Sequence, residues 1–478
     1  MGQASAVRDG APVAPNAAAG ARGMSDGAPA VPHAWLFVAV VLVGVALRVW
    51  RALHNGPSFD ESFTAMAARQ PFGDLIDHLT TQDSHPPLDY LLRAPFARAG
   101  ASDLLLRSPS IVFSCAALAL FAWWMHRRSW FGLLATALLS FSTFQVLHGG
   151  EARMYALLQL LGIGAAIIAE RWFRAPRAWH SWALASILLV ALFDHVSGLL
   201  LGLGLVALAG LRRDGEAWRL RMLIGAAGLV WAVFWFPTLL EQLDHSWSDW
   251  VPRTTPTGVA RVVGEQVMTV RGTTWVLLGA VLAGGVVLIR QDARLGRLWL
   301  ALGVVPFAGA AVVGIASAFL LPRTLTLASW APVLALAALL DVARQRWRGV
   351  GRGLAIGVPV VVLLATSTFL AGKTWDYDLS VDELQHAARP GDVVAVRPAR
   401  YGILVDWRIG VRGDRPTRVV ALPIPDTDAH RVLGAPMSGR IWLLTPVGST
   451  TRFDGYEHCA PPWDDGVTTV ICLVPTVP

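Results

Sequence analysis

The fold is decided by residues 34–53, which read AWLFVAVVLVGVALRVWRAL. A helix needs about 20 predominantly apolar residues to cross the hydrocarbon core of a bilayer, and this stretch has that length and character. Apolar runs of this kind recur along the chain, in which 54% of the 478 residues are hydrophobic and 15% are charged. Soluble domains carry about 25% charged residues. The sequence therefore predicts a polytopic α-helical membrane protein.

About eleven transmembrane helices are predicted from the recurrence of such runs. Arginine clusters fall in alternate loops between them, which is typical of cytoplasmic loops. The N-terminus is therefore expected inside the cell and the C-terminal region outside, across the cytoplasmic membrane. The predicted spans are residues 34–53, 105–126, 130–148, 151–172, 180–194, 195–211, 218–243, 272–290, 296–320, 323–342 and 351–372.

This topology requires that residues 86–100 do not cross the bilayer. The stretch is short, and Asp89, Arg93 and Arg98 would each be costly at the bilayer centre. We expect an interfacial or re-entrant helix there. A crossing would invert everything downstream, so that alternative stays open.

Three regions follow from composition. Residues 1–31 are rich in Ala, Gly and Pro and are expected to form a disordered cytoplasmic tail. Residues 32–372 form the membrane domain, and its first outer loop, 54–104, is expected to contain interfacial helices. The net charge of +7 does not indicate nucleic-acid binding, because the arginines lie in short clusters between apolar runs.

Residues 373–478 are predicted to be a small extracytoplasmic α/β domain. Ser380 and Glu383 fit a capping box that opens a helix. Cys459 and Cys472 are expected to form a disulfide if this region lies in an oxidising compartment; otherwise both are free thiols. The predicted strands are residues 393–396, 418–422, 441–444 and 468–473.

Polar residues that could take part in proton transfer or phosphate binding gather on the predicted outer side. The adjacent acids Asp60 and Glu61 follow the first span, and either could accept a proton from a hydroxyl group. Arginine suits phosphate because its fork matches phosphate oxygens. The candidate phosphate ligands are Arg153, Tyr155, His195 and Arg323, and the candidate substrate-binding residues are His85 and Glu151.

Each of these side chains also has a structural interpretation. An arginine or histidine at the end of a span often reaches to the interface without binding anything. Glu151 lies two residues before Arg153, so it could orient that arginine or hold an acceptor. No metal-ligand spacing is apparent, and one phosphodiester charge can be neutralised by arginine and histidine; a divalent cation stays an open alternative.

The chain resembles the bacterial members of glycosyltransferase family 39 in the GT-C superfamily, which are related to the protein O-mannosyltransferases and the lipid A aminoarabinose transferase. The matching stretches are Phe59-Asp60-Glu61, His85-Pro86-Pro87-Leu88, Leu106-Arg107-Ser108-Pro109-Ser110, Glu151-Ala152-Arg153-Met154-Tyr155-Ala156-Leu157, Leu321-Pro322-Arg323 and Arg389-Pro390-Gly391-Asp392. The resemblance runs from about residue 34 to about residue 400.

This resemblance implies a GT-C fold, a polyprenyl- or dolichyl-phosphate sugar donor, inversion at the anomeric carbon, and Asp60 as the base. Mannose is the favoured sugar, with arabinofuranose and glucose open. The acceptor is a hydroxyl on a lipid, a glycan or a protein. Departures from the family pattern occur at Asp89, Asp194-His195-Val196 and Arg323-Thr324, and we expect Asp89 to signal a different acceptor or sugar.

Two other classes remain. A transporter or flippase of lipid-linked sugars would also carry polar residues in its membrane domain, although transporters commonly show related halves with sites near the midplane, and no internal repeat is evident here. A catalytically inactive relative that serves as a scaffold is the third possibility, and the intact acidic pair argues against it.

Overall fold

The computed structural model describes residues 34–371 except 84, 245–250, 252, 269, 271, 318 and 348, and in the C-terminal region residues 381, 384, 386–387, 388–389, 392–396, 405–407, 418–421, 440–446, 456–459, 461–464 and 468–475. The membrane domain is helical. Its α-helices are α1 (Ala34–His54), α2 (Phe59–Arg69), α3 (Phe72–Gln82), α4 (Leu88–Arg98), α5 (Asp103–Met125), α6 (Ser129–Phe141), α7 (Thr143–Gly149), α8 (Tyr155–Arg174), α9 (Ala178–Asp194), α10 (Gly198–Gly210), α11 (Gly215–Asp244), α12 (Pro256–Glu265), α13 (Thr274–Gln291), α14 (Ala293–Leu298), α15 (Val305–Ala316), α16 (Trp330–Arg346) and α17 (Val350–Ala371). A π-helical turn, Trp299–Val304, joins α14 to α15, and a 3-10 segment, Pro322–Ala328, precedes α16.

Among the described residues, seven helices are long and apolar enough to cross a membrane. The number rises to nine if two bent pairs each count as one span: α6 with α7, bent by 54°, and the 3-10 segment with α16, bent by 69°. Each predicted span coincides with one of these elements or with α9 or α10. Those two helices have only 17 and 13 residues, so the count of about eleven crossings stays a prediction.

Two arginines of α1 are buried among the helices. Arg48 is 0% exposed and Arg51 is 1% exposed. Arg48 donates from Nε to Ser114 Oγ at 2.8 Å and from Nη1 to Gly44 O at 2.9 Å and Ser140 O at 3.1 Å. The first span is therefore joined to α5 and α6 by polar contacts inside the bundle, where each unmade hydrogen bond would be expensive.

The loop after α1, which is predicted to lie on the outer side, folds into the three short helices α2, α3 and α4. Helix α4 has 11 residues, about 16 Å at 1.5 Å per residue, which is half of what a crossing needs. Leu75 and Leu79 of α3 are fully buried, and the carbonyl of Leu79 accepts a 2.9 Å hydrogen bond from Gln242 of α11. Helix α3 thus packs onto the bundle through its apolar side chains.

The C-terminal region contains a mixed six-stranded sheet. Its strand order is β2-β1-β3-β6-β4, with β5 also paired to β6. Strand β1 is parallel to β2 and β3, and β6 is antiparallel to β3, β4 and β5. The strands are β1 (Val393–Val396), β2 (Arg418–Ala421), β3 (Ile441–Pro446), β4 (Tyr456–His458), β5 (Trp463–Asp464) and β6 (Thr468–Pro475).

The four predicted strands are confirmed as β1, β2, β3 and β6. Strand β1 is buried at every position, because alternate valines pack into hydrophobic clusters on opposite faces. The helix predicted from Ser380 and Glu383 lies outside the described residues. The predicted disulfide between Cys459 and Cys472 is formed, with a Cα–Cα distance of 5.3 Å.

Candidate active site

Asp60 forms an ion pair with Arg323 across the outer loop. Asp60 lies in the first turn of α2, and its Oδ2 is 2.6 Å from Nη1 of Arg323. Arg323 belongs to the 3-10 segment, and its backbone follows Pro322 at the start of the bend into α16. The side chains are 33% and 29% exposed respectively. The pair is therefore open to a ligand at the surface of the bundle.

Glu61, the neighbouring acid, is buried in a closed hydrogen-bond network. Its Oε1 accepts from Arg107 Nε and from the backbone of Ala152, each at 2.7 Å. Its Oε2 accepts from Arg107 Nη2 and from the backbone of Ser58, each at 2.9 Å. Ser58 Oγ in turn accepts from the Glu61 backbone, which completes a capping box at the start of α2. The carboxylate is 1% exposed and holds four hydrogen bonds.

Arg107 of α5 uses all five of its donors at this point. Besides Glu61, it donates from Nη1 to the carbonyls of Ala52 at 2.8 Å and Asn55 at 2.6 Å, and from Nη2 to that of Gly56 at 2.8 Å. A guanidinium has five N–H groups in a fixed fork, so its capacity is filled. Arg107 thereby fixes both the chain between α1 and α2 and the acid beside Asp60.

Arg153 lies behind Asp60 and has few partners. Its side chain is buried, with the residue 5% exposed. Nη1 donates to Thr64 Oγ1 at 2.8 Å and to the carbonyl of Asp60 at 3.4 Å, whereas Nε is buried without a hydrogen-bond partner among the described residues. No carboxylate lies within ion-pairing distance in the described part of the chain. A buried cation with spare donors favours an anionic ligand.

The backbone at Arg153 is held by Arg93 of α4. Arg93 Nη2 donates to the Arg153 carbonyl at 3.0 Å, and Ser110 Oγ donates to the same carbonyl at 3.2 Å. Asp89 binds Arg93 in a bidentate manner, at 2.8 and 3.0 Å, and is 3% exposed. The Asp89 carboxylate is therefore occupied by Arg93. The expectation that Asp89 signals a different acceptor or sugar stays a prediction.

Three predicted aromatic side chains form a row of rings beside the ion pair. The ring centroids of His85 and His195 are 4.7 Å apart, and those of His195 and Tyr155 are 6.3 Å apart. The backbone N–H of Ser197 donates to His195 Nδ1 at 2.9 Å, which leaves Nε2 to carry the proton of a neutral ring. His85 Nδ1 is buried without a described hydrogen-bond partner. The rings of His195 and Tyr155 are buried and that of His85 is half-buried, so the row lines the inner wall of the site.

The row continues to His148, which the sequence reading missed. Its ring centroid is 5.0 Å from that of Tyr155, and its Nδ1 is 2.8 Å from Glu151 Oε2. Glu151 therefore pairs with a histidine three residues earlier and makes no described ion pair with Arg153. The i,i+3 spacing of His148 and Glu151 is the signal that could have revealed the pair. His148 also lines a cavity together with Arg323.

A cavity of about 290 Å³ opens beside Arg323. Arg323, His148 and Glu265 supply its polar walls, and the others are apolar: Phe144, Leu147, Leu321, Pro322 and Phe369. Its polar groups converge next to the Asp60–Arg323 pair. Such a mixture of apolar walls and a few placed polar groups is typical of ligand sites.

The charges at the site keep Asp60 ionised. Burial alone would raise the pKa of Asp60, but the guanidinium groups of Arg153 and Arg323, with His85, hold it below its usual range. The pKa of His85 is well below its usual value, because of burial and the same two arginines. The site thus contains a carboxylate and a neutral imidazole near neutral pH. No group of three or more His, Cys, Asp or Glu side chains that could hold a metal occurs in the described ranges.

The structure brings together most of the residues expected from the sequence. Asp60 and Arg323 are in contact, and Arg153 lies against the Asp60 backbone. The remaining candidates, Tyr155, His195, His85 and Glu151, lie on the row of rings beside them, and Glu61 lies in the buried network. Arg93 binds the backbone of Arg153 and Arg107 binds Glu61. Neither arginine was assigned a role from the sequence.

Comparison with known proteins finds a match in fold only. The chain superposes on the crystal structure of ArnT from Cupriavidus metallidurans in the apo state with a TM-score of 0.61 and 15% identity, over 92% of this chain and 97% of that one. It also superposes on ArnT from the same organism bound to undecaprenyl phosphate, with a TM-score of 0.56 and 14% identity over the same shares. No protein-family profile and no curated protein sequence matches. The chain has the fold of ArnT, and this confirms the predicted GT-C architecture of a helical membrane domain followed by a small C-terminal sheet.

Proposed function

We propose that this protein is a membrane glycosyltransferase that moves a sugar from a polyprenyl-phosphate donor to a hydroxyl acceptor at the outer face of the cytoplasmic membrane. The observation that carries the proposal is the arrangement of Asp60, Arg323 and Arg153. The Asp60 carboxylate lies 2.6 Å from the Arg323 guanidinium. The buried Arg153 guanidinium lies beside them and has a spare donor. This set can accept a proton and neutralise a leaving phosphate at one place.

The reaction is a single displacement. The acceptor oxygen attacks the anomeric carbon while the bond between that carbon and the phosphate oxygen breaks. The hydroxyl proton passes to Asp60, and the bonding electrons leave with the polyprenyl phosphate. Because the nucleophile enters opposite the leaving group, the anomeric centre inverts.

We assign the leaving phosphate to Arg153 and Arg323. Arg323 binds Asp60, and a bound phosphate would compete for the same guanidinium. Phosphate binding would then release the carboxylate to act as base at the moment when the donor is present. Tyr155, His195 and His85 complete the wall, and His148 with Glu151 faces the acceptor side near the cavity.

Glu61 receives a positioning role in this scheme. Its oxygens are saturated by Arg107, Ser58 and Ala152, so it has no lone pair directed at a substrate. It joins the start of α2, which carries Asp60, to the stretch that carries Arg153.

The donor class is supported by the likeness to ArnT, which was crystallised with undecaprenyl phosphate. Mannose is the sugar that the sequence resemblance favours, with glucose, arabinofuranose and aminoarabinose as further donors to assay. The acceptor belongs to the lipids, glycans or proteins of the envelope. The N-terminus is inside and the sheet domain outside in this proposal.

The test is turnover by purified protein of radiolabelled polyprenyl-phosphate sugars, followed as release of polyprenyl phosphate. Asp60→Asn keeps the shape but cannot accept the proton, so turnover should fall by roughly 10²-fold or more while donor binding persists. Asp74→Asn, an exposed acid of the same loop, is the matched control. Near-normal turnover of Asp60→Asn would move the base to another acid.

The same assay separates an enzyme from a transporter. A flippase of lipid-linked sugars would move the donor between leaflets of a vesicle and leave the sugar–phosphate bond intact. Intact donor after prolonged incubation, with every candidate acceptor fraction present, would favour the transporter.

The pH profile of the reaction follows from the charges around Asp60. Because the pKa of Asp60 is lowered, its carboxylate stays ionised as pH falls. It becomes protonated only at a pH below the usual pKa range of an aspartate. The acid limb of kcat/KM should therefore lie below that range. Replacing Arg323 by Gln removes one of the charges that lower the pKa, so the limb should move to higher pH.

A further inference from the structure

A second cavity, of about 420 Å³, lies at the other end of the bundle. It is formed where α5 and α8 end, and its wall includes Trp123, Trp124, Arg127, Arg128 and Glu170. The same two helices begin near the Asp60 site, where the opening turns of α5 and α8 carry Arg107 and Tyr155. A helix of 23 residues is about 34 Å long, so the second cavity lies on the opposite face of the membrane from the first.

The lining of this cavity is strongly cationic. It contains the four arginines 127, 128, 171 and 174 and one histidine, against the single carboxylate of Glu170. An excess of arginine is expected in cytoplasmic loops in general. Here, however, the charges surround a concave space and are held by specific contacts.

Glu170 organises the cavity from its base. Its carboxylate is 7% exposed and accepts hydrogen bonds from Trp124 Nε1 and Arg128 Nη2, each at 2.6 Å, and from Arg174 Nη2 at 2.5 Å. The guanidinium of Arg128 also lies 5.9 Å from the centre of the Trp124 ring. A buried carboxylate and a tryptophan therefore orient two of the arginines before any ligand binds.

Arg127 and Arg171 supply charge that no described carboxylate neutralises. Both are exposed. Arg171 stacks on the ring of Trp123 at 5.2 Å, and Arg127 Nε contacts His126 Nε2 at 3.3 Å. Trp123 is itself 50% exposed at the end of an apolar span, where tryptophan lies at the level of lipid headgroups.

We propose that this cavity binds the phosphate headgroup of an anionic phospholipid in the leaflet opposite the Asp60 site. Guanidinium forks bind phosphate oxygens, and basic pockets between transmembrane helices on the cytoplasmic side bind anionic headgroups. The exposed ring of Trp123 gives the acyl chains an apolar surface to follow, which a soluble phosphate would not need. The inference is independent of the reaction proposed at Asp60.

The experiment uses the full chain in nanodiscs of equal phosphatidylglycerol and phosphatidylcholine. Native mass spectrometry counts the lipids that stay bound after detergent transfer. The test variant is the double substitution Arg127→Gln with Arg171→Gln, whose side chains are exposed and make no described ion pair. The matched control is Arg290→Gln with Arg297→Gln, two exposed arginines at the ends of α13 and α14 outside the cavity.

Each basic residue at an anionic lipid surface contributes about a fivefold preference, so the test variant should lose roughly thirtyfold in phosphatidylglycerol retention and the control much less. If the test variant retained as much phosphatidylglycerol as the control variant, with little loss in either, the proposal would be overturned. Displacement of phosphatidylglycerol by millimolar glycerol 3-phosphate would also overturn it, because the site would then bind a soluble phosphate. A control that loses as much as the test variant would reduce the effect to general surface charge and contradict the assignment as well.

Discussion

Asp60 and Glu61 are adjacent in sequence but lie in different environments. Successive residues of a helix point about 100° apart, so one carboxylate reaches the open side of α2 while the other enters the bundle. Asp60 is 33% exposed and meets one arginine, whereas Glu61 is 1% exposed and holds four hydrogen bonds. In the proposed reaction the two acids therefore divide two tasks, with Asp60 as the proton acceptor and Glu61 as a fixed support.

Glu61→Gln should destabilise the protein more than any exposed acid does. Burial alone would raise the pKa of Glu61, but Arg107 lowers it from 4.5 to about 2. A lowered pKa means that the stabilisation is complete above pH 4.5 and is lost as pH falls towards 2. Leaving Arg107 buried without its partner costs about 3–5 kcal/mol. The midpoint of thermal unfolding in detergent should fall by several degrees, and that of Asp74→Asn should not change.

The size of this effect also tests the assignment of Glu61. If Glu61 were the base, Glu61→Gln would lose turnover while keeping its thermal midpoint. An unchanged midpoint together with lost turnover would contradict the positioning role.

Arg153→Lys and Arg323→Lys should each weaken binding of a non-transferable donor analogue by roughly tenfold or more. Lysine keeps the charge but loses the two-pronged geometry that matches phosphate oxygens. Arg69→Lys, at an exposed arginine of the same outer loop, is the matched control. Binding of the analogue is measured by displacement of a fluorescent polyprenyl phosphate. Parental affinity in both lysine variants would remove these arginines from the phosphate site.

The polar residues of the site were largely predictable because they recur at the outer ends of spans, where topology brings them to one face. The contacts that these residues make with one another were not predictable. The bond between Asp60 and Arg323 joins residues 263 positions apart, and sequence spacing carries no information about such a contact. Arg107 lay within a quoted motif, yet its role depends on three carbonyls of another segment. Asp89 was singled out as a departure from the family pattern, and its ion pair with Arg93 on the next helical turn was not predicted.

The 3-10 segment that carries Arg323 is positioned by close packing on α8. A Cβ at Gly162 would clash with the carbonyl oxygen of Leu327, whereas a Cβ at Gly164 would make only an ordinary contact with Ile187 at 3.8 Å. The backbone of the segment thus approaches α8 at a distance that only glycine allows.

Gly162→Ala should displace this segment and with it Arg323. We expect turnover to fall by roughly tenfold or more, since a displacement of about 1 Å at a catalytic group can cost 10²-fold. Gly164→Ala, two residues along the same helix, should leave turnover and thermal midpoint near the parental values. Turnover is measured as in the donor assay. Equal activity in the two alanine variants would show that the segment can move without consequence.

Element types were more predictable than their bends. The hydropathy pattern identified every candidate span among the described residues, because length and apolar character determine what can cross a bilayer. The 54° bend after Phe141 and the 69° bend before α16 depend on packing and on capping by Ser142, which accepts from the Gln145 backbone at 3.4 Å. Strands β4 and β5 were missed because three and two residues are too few for a pattern.

The placement of the C-terminal sheet outside the cell depends on the number of crossings. A C-terminal alkaline phosphatase fusion should be active and a green fluorescent protein fusion should be dark, because the predicted eleven crossings are an odd number and would place the two termini on opposite sides. Fusions placed after Arg213, in a loop predicted to be cytoplasmic, should give the reverse pattern. Inverted results at the C-terminus alone would mean that one span between these points, such as α11 or α13, is miscounted.

The two buried arginines of α1 have a consequence for how the chain is made. The first span emerges from the ribosome before its partners, since Ser114 and Ser140 follow Arg48 by 66 and 92 residues. At a synthesis rate of about 5–20 residues per second, Ser114 and Ser140 are made roughly 3 to 20 seconds after Arg48. An arginine at the centre of a lone span opposes insertion by about 2.5–3.5 kcal/mol, and Arg48, the fifteenth of the 21 residues of α1, costs less than that because it lies off the centre. During synthesis, the unpaired guanidinium therefore weakens the hold of the bilayer on α1 until α5 and α6 arrive, and the final placement of α1 becomes a late step of biogenesis.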